Sequence, residues 1–176
     1  APPDGEGGRM QMYLWTQDRG RLFSIDAPDA IAGYYEAATA DFGPPIDEAA
    51  LQGSIVEARD QSADPRLACE TIVNTGEVSG NIAMVDRGVC FFEEKVKNAE
   101  AAGAIAVIIC NYEDGLVNMG GVGNVDDPAI PVVMLKASDC ARIRQYVADD
   151  VEATLQRQLS AGPDTIDGAF DNGVIA

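Results

Sequence analysis

The sequence predicts an α+β fold, a small β-sandwich or open β-barrel that carries two helices. Three observations lead there. The expected strands are short, between four and nine residues. Two stretches repeat apolar residues at helical spacing. From residue 82 onward the order is strand, helix, strand, long loop, strand, helix, strand.

The elements follow in chain order. Residues 1–9 (APPDGEGGR) are rich in Pro and Gly and read as a loop. Met10–Trp15 alternates and predicts a strand; Gly20 marks a turn, and Arg21–Ile25 predicts a second strand, the two forming a hairpin. Residues 26–53 hold many Ala, Gly, Pro and Asp residues and predict no regular element, with Gly43–Pro44–Pro45 as a breaker. Ser54–Ala58 is a short strand and Asp60–Pro65 a polar loop. Ile82–Val85 is a buried strand, and Asp86–Arg87–Gly88 a turn. Phe92, Val96, Ala99 and Ala102 share one helix face, and Gly103 ends that helix. Ala104–Cys110 is apolar on both faces and predicts an interior strand. Asn111–Asp127 is a long Gly-rich loop, and Pro131–Leu135 another strand. Ser138 is expected to cap a helix with Cys140, Ile143 and Val147 on one side, and Val151–Leu159 closes the set as a strand.

Composition narrows the function. With 176 residues and 47% hydrophobic content the chain supports one domain plus short extensions. It carries 29 acidic against 12 basic residues, a net charge of −17. Such a surface repels phosphate backbones and anionic bilayers, so neither nucleic acid nor membrane is an expected partner. Eighteen of the acids are Asp, and only Lys95, Lys97 and Lys136 are Lys. A carboxylate coat of this kind serves solubility, or adaptation to salty surroundings. There is no His, which excludes Ser-His-Asp and Cys-His catalysis and His-containing zinc sites within this chain. Paired carboxylates for acid hydrolysis would need a shared apolar pocket, and no pattern supplies one.

Cys69, Cys90, Cys110 and Cys140 form no CxxC pair and allow three pairings. The local pairs Cys69–Cys90 and Cys110–Cys140 are favoured because they close modest loops of roughly 20 to 30 residues, each stabilising by about 3 kcal/mol. Two disulfides would place the chain in an oxidising, extracellular compartment; the alternative is four buried thiols.

The central segment GNIAMVDRGVCFFEEKVKNAEAAGAIAVIICNYEDG, then NMGG and DDPAIPVVMLKASDCARIRQYV, resembles the protease-associated (PA) domain over roughly residues 69–148. IDAPDAIAGYYEAATADFGPP is similar to the leading strands of secreted bacterial PA domains. GRMQMYLWT at residues 8–16 resembles a catalytic-domain segment of fungalysin-type zinc metallopeptidases, and DGAFDNGVIA at 167–176 the lead-in to that family's HExxH helix. The resemblance implies host strands over 1–25, a PA domain over 26–160 and the HExxH lead-in over 161–176. It implies an insert of a secreted, zinc-dependent peptidase, with no cofactor and no catalysis of its own. Its partners would be a protein or peptide substrate and the parent's catalytic domain, which Trp15 is expected to contact. The family is regarded as interaction modules that bind substrate, restrict its access or mediate assembly; the alternative is an insert that only stabilises or shields the catalytic domain.

The candidate substrate-binding residues are Arg87, Asn111, Leu116, Met119, Gly120 and Gly121. A planar guanidinium at Arg87 suits a peptide carbonyl or carboxylate, or else a salt bridge to Asp86 or a neighbour that stiffens the turn. The glycines of the 111–123 loop let a partner's backbone approach, or simply connect two strands; Leu116 and Met119 add apolar contact, or pack beneath it. Asn124, Asp126 and Asp127 offer oxygens for calcium, without the spacing of an EF-hand loop. Asp149–Asp150 are expected at a helix C-terminus, where like charges meet the negative pole of the dipole.

Overall fold

The computed structural model describes residues 21–123 and 126–158. The expected strand at 10–15 and its hairpin, Trp15, Asn124, Leu159 and the 161–176 segment lie outside them. The described strands are β1 (Arg21–Ala27), β2 (Gly33–Tyr35), β3 (Leu51–Glu57), β4 (Ile82–Asp86), β5 (Ala106–Cys110), β6 (Val132–Leu135) and β7 (Glu152–Gln158). The helices are α1 (Thr75–Val78), α2 (Phe92–Ala101) and α3 (Ala137–Arg144), with 3-10 turns at Pro65–Leu67 and Val147–Asp149.

All seven strands join one sheet in the order β2-β1-β7-β3-β4-β5-β6. β3, β4, β5 and β6 run parallel to one another, whereas β7 pairs antiparallel with β1 and β3. The chain just past β2, at one edge, reaches the other edge: Ala38 and Met134 exchange both backbone hydrogen bonds. The sheet therefore curls back on itself, the open-barrel form expected of an α+β fold with short strands.

Period-two alternation builds two cores from the same strands. Ile82 and Met84 of β4, Ala106 and Ile108 of β5, and Val133 and Leu135 of β6 share one cluster with Cys140 and Ile143 of α3. Ala83 and Val85, Val107 and Ile109, and Val132 and Met134 share the other with Val96 and Ala99 of α2. The parallel strands are thus covered on both faces, which is why they read as continuous apolar runs.

The α2 pattern holds: Val96, Ala99 and Ala102 are buried and Phe92 partly so. The Glu94 carboxylate accepts the Phe91 N–H at 3.1 Å, closing the first turn. Gly103 ends α2 at φ +88°, and a Cβ there would lie 2.8 Å from Ser79 Oγ and 3.2 Å from its Cα. Ser138, in contrast, is not the cap of α3. Lys136 occupies that position without a capping bond, and the Ser138 N–H donates instead to Asp114 Oδ1 at 2.8 Å, from the loop after β5. Val147 lies in a separate 3-10 turn, because α3 stops at Arg144. Asp149 and Asp150 are therefore clear of the helix end, whose last turn carries Arg142 and Arg144 in favourable positions. The stretch 26–53 is also more regular than its composition suggests: it contains β2 and the start of β3. The helix count was low by one, as the four-residue α1 is too short to show a period.

Candidate functional site

β4 and β5 lie side by side and end together, with Asp86 opposite Cys110. The loops that follow them meet beyond these carboxyl ends, the place where parallel α/β sheets commonly hold ligands. Arg87 continues the pairing by one bond, its N–H donating to Cys110 O at 2.8 Å. Both loops are clamped. Disulfides join Cys69 to Cys90 and Cys110 to Cys140, the pairing favoured on loop length.

Asn111 organises the centre. Its buried side chain accepts from Arg87 Nη1 at 2.9 Å and from the Tyr112 N–H at 2.9 Å, and donates to Gly115 O at 2.7 Å. The guanidinium carbon of Arg87 stands 4.6 Å from the Tyr112 ring centroid and 5.8 Å from that of Phe92. Arg87 is thus within cation–π distance of both rings. It does not pair with Asp86, whose carboxylate receives Arg66 Nε at 3.2 Å and Arg144 Nη2. Arg144 Nε also reaches Glu57 Oε1 at 2.7 Å, so one arginine links α3 to β3 and β4.

The two loops carry exposed apolar side chains. Val89 is 91% exposed, Tyr112 67% and Phe91 52%. Val89 also sits at φ 61°, a region that β-branched residues avoid because of steric crowding. A strained, exposed valine two residues from the exposed Phe91 is costly unless the loop has a use for it.

The other expected site residues divide. Met119 is fully buried in the α2-side core, and Leu116 packs partly against the same cluster. Gly121 makes room within its own chain: a Cβ would fall 2.8 Å from Glu93 Oε1, and the buried Glu93 accepts the Val122 N–H at 2.9 Å. Gly120 faces open space. Of the six, Arg87 and Asn111 are joined by a side-chain hydrogen bond. Sequence reasoning missed Val89, Phe91, Phe92 and Tyr112; the clue was an aromatic pair beside the DRG turn and a Tyr directly after the apolar strand.

A second concavity, a groove of about 520 Å³, opens between the chain after β2 and the 111–123 loop, lined by Leu22, Ala37, Phe42, Pro45, Leu116 and Arg157 among others. Among the described residues nothing fits zinc: the chain has no His, its cysteines are paired, and no three His, Cys, Asp or Glu gather as ligands there. The buried carboxylate of Asp60 serves structure. Burial opposes its ionisation, but hydrogen bonds from Ser62, Glu70 and Cys69 outweigh burial and hold it below its ordinary value.

A profile of the PA domain matches residues 50–143, more than half of the chain. The chain belongs to the PA domain family. The PA segment is 43% identical over 82 residues to the aminopeptidase YwaD of Bacillus subtilis, covering 47% of this chain and 17% of that protein. It is 32% identical over 97 residues to vacuolar-sorting receptor 1 of Pisum sativum, covering 54% of this chain and 16% of the receptor. It is also 34% identical over 109 residues to an ER degradation-enhancing alpha-mannosidase-like protein 3 of Xenopus laevis, 56% of this chain and 11% of that one. Among solved structures, a zinc aminopeptidase from Bacillus subtilis superposes with a TM-score of 0.57 at 29% identity, over 79% of this chain and 31% of the enzyme. The PA domain thus spans a small part of each relative. These relatives give the fungalysin type expected from the chain's two ends no support, and those ends lie outside the described residues.

Proposed function

We propose that this PA domain is a non-catalytic protein-interaction module of a zinc metallopeptidase, holding protein substrate near a catalytic domain elsewhere in the protein. The observation that carries this reading is the set of exposed apolar side chains Val89, Phe91 and Tyr112 on the two loops at the carboxyl ends of β4 and β5, with the Arg87 guanidinium over the Tyr112 ring. Aromatic residues and arginine are the side chains that contribute most per residue at protein interfaces. The patch suits an extended polypeptide, whose carbonyls meet the guanidinium and whose apolar side chains meet the rings. That PA relatives include an aminopeptidase and a sorting receptor supports a role in holding polypeptide rather than in one chemistry. The two disulfides fit an extracellular or secretory-pathway setting. The finer identification of the host as a fungalysin-type enzyme rests on the likeness of residues 8–16 and 167–176 to that family.

The test is retention of the chain on insoluble proteins such as gelatin or elastin, against an acidic control of similar charge. Enrichment that falls at least about tenfold in Phe91→Ser with Tyr112→Ser supports the reading, since each lost aromatic anchor is worth roughly 1 kcal/mol or more. Enrichment no greater than that of the control overturns it, and leaves the stabilising or shielding insert as the better account.

A further inference from the structure

The two disulfides sit in unlike surroundings. Cys110 and Cys140 are buried in the core on the α3 side of the sheet. Cys69 and Cys90 are only partly covered, and Cys90 lies between Val89 and Phe91, two of the most exposed apolar residues. Behind Cys69 lies Lys95, a wholly buried lysine on α2. Its ammonium donates to Leu67 O at 2.5 Å and to Cys69 Sγ at 3.5 Å. Burial pushes Lys95 down to about 8, against the pull of Asp60, Asp86, Asp64 and Glu94. It is still largely protonated at neutral pH. A buried cation is costly unless something compensates for its lost hydration, and beyond the field of those carboxylates its hydrogen-bond acceptors are a carbonyl and a disulfide sulfur.

We propose that Cys69–Cys90 is a thiol-reactive site, opened by a dithiol reductant that attacks Cys90 while Cys69 leaves as a thiolate beside the Lys95 ammonium. The reductant's thiolate forms a bond to Cys90 Sγ, the Cys69–Cys90 bond breaks, and its electron pair stays on Cys69. The reductant's second thiolate then attacks its own sulfur in the mixed disulfide, releasing Cys90 and closing the reductant's disulfide. Two electrons pass from reductant to protein, and the reductant's two thiol protons pass to Cys90 and solvent. Lys95 favours this direction because a leaving thiol of lower pKa departs faster, and a cation at hydrogen-bond distance lowers that pKa. The consequence reaches the surface: opening the bond unties the 87–91 loop that bears Val89 and Phe91.

Limited dithiothreitol, an acid quench and alkylation mapped by mass spectrometry test the proposal on the folded chain. Cys69 and Cys90 should be labelled at least roughly tenfold faster than Cys110 and Cys140; equal rates or the reverse order overturn it. A glutathione adduct should appear on Cys90, and one confined to Cys69 overturns the assignment of leaving group. Lys95→Met should slow opening by roughly three- to tenfold while Lys95→Arg retains it; an unchanged rate in Lys95→Met removes Lys95 from the account. If Lys95→Met opens both bonds together, as an unfolded chain would, Cys90→Ser decides. Its lone Cys69 should be alkylated with an apparent pKa below the ordinary ~8.5, and a value at or above that overturns the proposal.

Discussion

Val89 holds a left-handed backbone with a β-branched side chain and almost no burial, so its methyl groups add nothing to the core. Asn adopts this conformation far more readily. Val89→Asn is therefore expected to raise the stability of the chain by about 1 kcal/mol, read as a higher denaturant midpoint at unchanged slope. The same change should weaken retention on insoluble protein if the loop binds. A stabilised variant that binds less is what a functional strain predicts; a loss of stability would show that the valine serves the fold. Nothing in the residue itself announces this. Sequence reasoning named Arg87 and Asn111 from their types and places, but had no means of seeing that Asn111 orients Arg87 and that Tyr112 covers it, contacts made across 24 and 25 positions of chain.

Helix α3 shows how elements are held. Its apolar face was readable from Cys140 and Ile143, yet its start is fixed by Asp114 from the preceding loop and its end by Arg144 reaching Glu57 of β3 and Asp86 of β4. Removing this guanidinium leaves Asp86 with Arg66 as its remaining ion-pair partner and takes from Glu57 its Arg144 bond, both carboxylates being half-buried. Arg144→Met should cost about 2 to 3 kcal/mol, since breaking a partly buried pair exposes the partners' own desolvation. Thermal unfolding of the variant checks this, and a change under about 0.5 kcal/mol would place the network among inert surface pairs. The expectation that Ser138 capped the helix failed for the same reason: a cap donated from a distant loop leaves no local pattern. Gly103 was legible because helix termination is a local matter, and the close Ser79 contact only reinforces it.

At the scale of the molecule, a net charge of −17 on a chain of this size opposes compaction. Raising sodium chloride from about 0.05 to 0.5 M shortens the screening length from roughly 14 to 4 Å. The melting temperature should then rise by about 2 to 4 °C, the equivalent of about 1 kcal/mol for a domain of this size. No rise, or a fall, would mean that the paired charges outweigh the repelling ones. The net charge is read from composition, and the open barrel is legible in the order of short strands. By itself the sequence determined the strands β4, β5 and β6, the helix α2 and the absence of imidazole chemistry, because burial on a regular element imprints a period on adjacent residues. Only the tertiary structure decided that the chain past β2 closes the sheet against β6, that Arg87 lies among rings, and that Lys95 stands behind one disulfide and not the other. Those contacts join residues far apart in the chain, and separation along the sequence carries no record of which side chains meet.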